Sequence, residues 1–446
     1  MSMKGNYMTV VSLMAAVVSL VPSCDHGPAM SPELAGKINA DERIDTVCAR
    51  AERLVSGGLN AGDGYAEVWI RDLNTFVSVA CEVSDREKLK DALANFFRFQ
   101  GDDGNIDDGY VPSRPDMTGY EYKFTDAAPG LAAHKNTVET DQETSLVQAV
   151  YKYVKSTGDT AFLSETICGR TVMDRMGDAL RFLLEKRWVP EYGLLWGATT
   201  VDWGDVQPEH PWGVELDENS HLCIDIYDQA MFLIAIDNYV EMSEDASEKD
   251  FWTAKSDEIR ASVRKWLWDE EKCKYRPHIY LKDSPFPSGF DEDAIHYHGG
   301  SAVAVLAGLN TPEEVLAIYE QQEKNRLAAN AESIGLTVYP PYPEGTFQNK
   351  GLVPYSYQNG GDWTWFGARM VSALIKYGYY EEAYNSLVPM LQRVIDHNGF
   401  YEWWTPAGEP KGSGMFRGEA GVLWTACHEL RSAAGSSEQA CPQTVS

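Results

Sequence analysis

The chain has 446 residues, of which 44% are hydrophobic and 24% charged, and its formal net charge is −29. That composition suits a large packed core. So acidic a surface repels phosphate backbones, and with no basic stripe to interrupt it, nucleic acid is excluded as a partner.

The first residues read as an export signal. Lys4 supplies a positive start, and Met8 to Val21 is an apolar run too short for a permanent membrane span. It ends in Leu20-Val21-Pro22-Ser23-Cys24, which resembles a bacterial lipobox and marks Cys24 for lipidation. This divides the chain into a signal over 1–23, a tether over 24–37, one domain over 38–435 and a tail over 436–446. It predicts a lipid-anchored protein in the periplasm or on the outer-membrane surface of a Gram-negative bacterium. The other seven cysteines are scattered, with no CxxC pair. They form neither a disulfide framework nor a zinc site.

Beyond the tether, apolar periodicity predicts helices over 38–56, 72–83, 86–99, 141–157, 171–187, 222–243, 246–268, 299–308, 312–323, 361–377, 380–395 and 418–433. Ala383, Leu387, Leu391 and Val394 fall on one face, which makes 380–395 amphipathic, whereas Ala230 to Val240 is apolar nearly all round and reads as buried on every side. Strand signals are short, near 275–281 and 335–339. A dozen helices of these two kinds suit two concentric rings, the all-α (α/α)6 toroid, with long loops and a few short strands at its mouth. The joining segments 100–140, 189–221, 270–298 and 324–360 are long for a compact helical domain, and long loops usually carry function. In such a ring the inner-helix N-termini and these loops converge on one end.

Five clusters carry chemistry. In Trp69-Ile70-Arg71-Asp72, arginine donates and aspartate accepts, as a grip on sugar hydroxyls requires; a helix cap with a neighbouring ion pair is the plainer reading. Asp102 to Arg114 superficially resembles a calcium loop, but Asp108 stands where the EF-hand needs glycine and Arg114 where it needs glutamate, so it reads as a rim loop, with a bound metal the lesser alternative. Asp202-Trp203-Gly204-Asp205 offers two candidate proton donors beside an indole that would raise a carboxyl pKa by burial. Asp362-Trp363-Thr364-Trp365 places an acid at a helix start, with Trp363 tending to the core and Trp365 free to stack. Glu402 lies in Phe400-Tyr401-Glu402-Trp403-Trp404, after the helix stop Asn398-Gly399, and is expected on a loop. Glu419 reads as a first-turn residue favoured by the helix dipole. No HExxH and no G-x-S-x-G occurs, so carboxylates amid aromatics remain, with no cofactor and no metal implied.

At these residues the chain resembles the six-hairpin glycosidases, the group of glucoamylases, trehalases, processing α-glucosidases and debranching glucosidases. Trp69-Ile70-Arg71-Asp72 resembles the Trp-x-Arg-Asp with which glucoamylases hold a terminal glucose. Asp103-Gly104-Asn105 through Val111-Pro112 resembles a loop common in the group. Phe400 to Trp404, followed by Gly412-Ser413-Gly414 and Trp424-Thr425, is similar to the segment carrying the catalytic base of trehalases and processing α-glucosidases, which assigns that role to Glu402. Their acid lies in Glu-Ser-Gly-x-Asp; here Thr199-Thr200-Val201-Asp202 keeps only the aspartate, which points to Asp202, with Asp205 open. Tyr357 to Trp363 is closer to debranching enzymes and sugar phosphorylases. The resemblance spans roughly residues 60–430 through short motifs. It implies an exo-acting inverting α-glucosidase-like hydrolase of oligosaccharides, with Trp69, Arg71, Asp72, Trp203, Asp205, Asp362, Trp363, Trp365 and Trp403 binding substrate. A phosphorylase of the same fold and a non-catalytic glycan-binding lipoprotein are the alternatives.

Overall fold

A computed structural model describes residues 29–198, 200, 203–211 and 215–440, with the side chains of 437–440 left aside. Among the described residues are thirteen α-helices: α1 (Pro32–Asn39), α2 (Glu42–Val55), α3 (Ile70–Val83), α4 (Arg86–Phe99), α5 (Gln142–Thr157), α6 (Val172–Lys186), α7 (Ile226–Met242), α8 (Ala246–Trp266), α9 (His298–Leu306), α10 (Pro312–Ala328), α11 (Thr364–Lys376), α12 (Tyr380–Asp396) and α13 (Arg417–Ala440). Helices α3, α5, α7, α9, α11 and α13 each pack on the next, and α13 packs back on α3 to close a ring. Helices α2, α4, α6, α8, α10 and α12 lie around it. This is the (α/α)6 toroid expected from the helix inventory.

Burial follows the two roles. Helix α7 is buried from Ile226 to Leu233 without a break, as its all-round apolar sequence demands. Helix α12 buries Ala383, Leu387, Leu391 and Val394 on one side and leaves its other face wet. Where α13 meets α3 the backbones approach so closely that a Cβ on Gly421 would lie 2.5 Å from the Phe76 Cα, so this position in the ring seam takes only glycine.

The helix ends differ by ring. Five outer helices start on a capping side chain: Asp41, Asp85, Thr171, Asp245 and Thr311, the last in a capping box with Glu314. Inner helices α3, α5, α9 and α11 start without one. Their N-termini share one mouth of the ring, so amide donors and positive dipole ends are directed there rather than consumed by caps.

Several boundaries depart from expectation. The helix expected over 38–56 is two, because Asp41 ends α1 and caps α2. Part of the expected tether is therefore folded: Pro32–Asn39 is helical and buries Ala35 and Ile38, with α1 seated on α13. At the other end α13 runs to Ala440, so residues 436–440 extend a helix rather than a tail. Helix α7 begins later than expected because Leu222–Ile224 is a strand between Gly197–Ala198 and Ile279–Tyr280.

Candidate active site

A cavity of ≈ 300 Å³ lies at the mouth where the inner helices begin. Its lining includes Trp69, Arg71 and Asp72 from the start of α3, Asn136 ahead of α5, Trp363 and Trp365 at α11, and Phe416 ahead of α13. Long loops add Tyr65, Asp108, Tyr120, Trp203, Asp205, His210 and Tyr357. Sequence positions 65 to 416 thus meet because the inner helix starts share one end of a ring.

Glu402 comes in on a β-hairpin of Tyr401–Trp404 and Pro410–Gly414 rather than on a plain loop. The strand alternates, so Glu402 and Trp404 are buried while Tyr401 and Trp403 take the other face. This is why Glu402 lines the cavity and Trp403, expected to bind substrate, does not. One Glu402 oxygen, Oε2, accepts from the Tyr65 hydroxyl at 3.0 Å and from the Ser413 amide at 2.9 Å. Gly412, at φ +70°, lies flat against it; any Cβ there would overlap the carboxylate. Burial raises the Glu402 pKa to about 7 against the pull of those two donors, and the Asp205 charge raises it further.

Asp205 is half-buried, accepting from the Tyr357 hydroxyl at 3.0 Å on Oδ2 and from Gln358 on Oδ1; desolvation nevertheless raises its pKa. Asp202, the sequence candidate for the acid, lies outside the described residues. Its neighbour Trp203 packs edge-on to Trp363 at 4.7 Å and parallel to Trp365 at 6.4 Å, which makes one aromatic wall of the cavity. Trp363 and Trp365 both line it, although each is also largely buried in the core.

Arg71 and Asp72 sit in the first turn of α3, inside the helix rather than at its cap. Burial disfavours the Arg71 charge, but Glu139, Asp108 and Asp141 hold it well protonated. It pairs with Glu139, with Asp108 at 3.2 Å and with Asp141 at 3.7 Å. Asp72 has a buried Oδ1 with no partner among the described residues, and burial takes its pKa to about 7. Asp108 rises to about 6, again through burial. The four carboxylates Asp72, Asp108, Asp205 and Glu402 therefore share one desolvated site with a single arginine, which disfavours ionising all four at neutral pH.

Asp362 does not reach this cavity. It is fully buried, and its carboxylate receives Arg393 at 2.8 and 3.0 Å and the Ser333 hydroxyl at 2.8 Å on both oxygens. Its backbone exchanges two hydrogen bonds with Trp404, at 2.9 and 2.8 Å. It is a structural clamp that ties the start of α11 to the Glu402 hairpin. Glu419 works beside it: buried, it accepts from the Trp404 indole at 2.8 Å and the Tyr401 amide at 2.6 Å, besides Thr364. The helix-dipole reading of Glu419 thus misses its main task. Sequence reasoning also missed Tyr65, Tyr120 and Asn136, none of which stands in a motif beside an obvious reactive group, and it placed Asp108 on a rim loop without bringing it into the cavity. The rim segment Asp102–Arg114 holds β2 (Gly109–Pro112), which pairs with β1 (Val68–Trp69) and β3 (Leu131–His134) and so fixes Asp108 beside Arg71.

No family model matches the chain, and no curated protein matches it. Solved structures do. The GH63 mannosylglycerate hydrolase from Thermus thermophilus, in complex with glucose, is 16% identical with a TM-score of 0.61, over 85% of this chain and 100% of that one. An uncharacterised conserved protein from the same organism is 17% identical with a TM-score of 0.61, over 86% and 100%. A rhamnosidase from Klebsiella oxytoca with rhamnose bound is 15% identical with a TM-score of 0.55, over 91% of this chain and 65% of that one. At these identities the likeness establishes a shared toroid.

Proposed function

We propose that the protein is a glycoside hydrolase that removes a terminal sugar from an oligosaccharide with inversion. The observation that carries the reading is Glu402: a buried carboxylate, oriented by two donors, in a cavity walled by tryptophans and floored by Arg71 and Asp72. Two neighbours of the same fold are a mannosylglycerate hydrolase and a rhamnosidase, with glucose and rhamnose bound, which supports a sugar in the equivalent space here.

A pKa near 7 suits a general base, because a large share of the group is ionised at neutral pH and the carboxylate is basic enough to take a proton from water. In inversion a second carboxyl protonates the leaving oxygen from the opposite side, about 6.5–9.5 Å away. We assign that role to Asp202. Both Asp205 oxygens already accept hydrogen bonds, from Tyr357 and Gln358, so Asp205 suits a sugar hydroxyl better than proton delivery. Asp72, with one unpartnered oxygen, suits another. A cavity closed below by the helix starts admits a chain end rather than a chain interior. Phosphorolysis is disfavoured: among the described residues the lining has one arginine, already held by three carboxylates, and no lysine to receive phosphate.

The experiment compares Asp202→Asn, Asp205→Asn and Glu402→Gln on two aryl glycosides, one with a good and one with a poor leaving group. Loss of the acid spares the good leaving group and abolishes the poor one; loss of the base abolishes both, and a small nucleophile such as azide restores turnover. The acid signature in Asp205→Asn instead of Asp202→Asn would exchange their roles. Equal activity of Glu402→Gln and wild type would end the proposal. We further propose anchoring through Cys24, which lies outside the described residues; palmitate labelling that persists in Cys24→Ala would refute it.

A further inference from the structure

The ring has a second cavity, of ≈ 290 Å³, on its axis beyond the sugar site. All six inner helices line it with residues further along than those of the first: Thr75 of α3, Lys152 of α5, Met231 of α7, Val303 of α9, Arg369 of α11 and Glu429 of α13. None of the mechanism above uses it.

Its charge balance is unusual for a chain of net −29. Lys152 spends two donors on Asn74, at 2.7 Å to the carbonyl and 2.9 Å to Oδ1, which leaves one N–H. Arg369 Nη1 is buried with no partner among the described residues, while the guanidinium lies 5.4 Å over the Trp365 ring and 5.8 Å over Phe366. Neither cation has a carboxylate oxygen within 4.0 Å among the described residues, although Glu429 lines the same space. Two spare charged donors from different helices, facing a space larger than one water, are what an oxyanion needs.

We propose that this rear cavity binds a small oxyanion, of the carboxylate or phosphate class, between Lys152 and Arg369. The site stands whether or not the sugar reading does. Its pH dependence has a definite sign. Burial, then the nearby Arg369 charge, lowers the Lys152 pKa to about 7, and Glu429 opposes them. Helix α3 presents Asn74 and Thr75, α7 presents Met231, Ile234 and Asn238 to the cavity, and α9 presents Val303 and Leu306, none of them titratable. Tyr227 of α7 is hydrogen-bonded to Arg369 and donates a hydrogen bond to Asp141 at 2.8 Å; Asp141 and Asp72 act on Arg369 through charge alone. Tyr151 donates a hydrogen bond to Glu241 at 2.6 Å. A bound anion favours the protonated lysine, so binding takes up a proton above pH about 7 and weakens as pH rises from there.

The test is calorimetric titration of the full chain with sodium phosphate and, separately, sodium acetate, at ionic strength fixed with sodium chloride. One saturable site for either anion is expected, at least about tenfold weaker in Lys152→Gln and in Arg369→Gln and weaker at pH 8 than at pH 6. Should those variants fail to fold, Glu429→Gln at pH 6 serves: below the Lys152 midpoint the lysine stays largely protonated, and removing a carboxylate from the cavity tightens binding. No saturable heat with either anion, binding unchanged in Lys152→Gln, or binding not tightened in Glu429→Gln, each overturns the proposal.

Discussion

A carboxylate that must be basic in a dry cavity is held there against its own solvation. For Glu402 the folded pKa of about 7 exceeds the ordinary 4.5, and for Asp72 about 7 exceeds 3.8, burial being the main cause in both. The folded protein then binds more protons than the unfolded chain between those limits. The two groups therefore cost nothing at low pH, and stability falls as pH rises from about 4 through 7. Replacing Glu402 by glutamine removes the part due to that residue, since the amide keeps the shape and loses the charge. Glu402→Gln should be more stable than wild type at pH 8 by about 3 kcal/mol, and no more stable at pH 4. Urea unfolding at both pH values measures this, and equal stabilities at pH 8 would show that the buried charge is not strained. The same pKa predicts that kcat/KM for a neutral glycoside falls on the acid side with a midpoint near 7, in a pH–rate profile. Trp69, Arg71, Asp72 and Glu402 were legible because each stands in a compact motif whose chemistry is local. Tyr65 was not, since only the fold brings its hydroxyl 3.0 Å from a residue 337 positions away.

Elements hold the cavity residues through a buried clamp rather than through surface pairs. Asp362 receives Arg393 and Ser333, and its backbone joins Trp404, so the start of α11, with Trp363 and Trp365, moves as one with the Glu402 hairpin. Arg393 also lies 4.7 Å over the Trp404 ring. Removing one partner of so buried a pair leaves the other charge unpaired, which costs about 3–5 kcal/mol. Asp362→Ala should lose that much by urea unfolding and also lower kcat, because two walls of the site lose their common anchor. A loss below about 1 kcal/mol would mean that the pair behaves like a surface one. Most helix positions were legible to within a few residues from apolar periodicity; the cap Asp41 went unread, so the expected helix over 38–56 runs across the break between α1 and α2. The hairpin was not: Tyr-Glu-Trp-Trp alternates for too short a stretch, and its partner strand Pro410–Gly414 is polar and glycine-rich. Asp362 was misassigned for a related reason, since an acid at a helix start reads alike whether it faces a ligand or a buried arginine.

At the scale of the whole molecule, two electrostatic environments must be kept apart. The surface carries the bulk of a net charge of −29 and repels itself through solvent. The mouth gathers Asp72, Asp108, Asp205 and Glu402 where helix starts without caps supply positive partial charge and solvent is largely excluded. Salt acts on the first and little on the second, because a Debye length of about 8 Å near 0.15 M screens exposed charges far better than buried ones. Raising ionic strength from a few millimolar to about 0.15 M should therefore raise the thermal midpoint, as surface repulsion is screened, while leaving the acid limb of kcat/KM near pH 7. Calorimetric scans and pH–rate profiles at the two ionic strengths measure both quantities. A midpoint that falls with salt would mean that pairs such as Arg260–Asp237 and Lys155–Glu241 outweigh the repulsion. An acid limb that moves with salt would place Glu402 in contact with bulk solvent and remove the reason for its raised pKa.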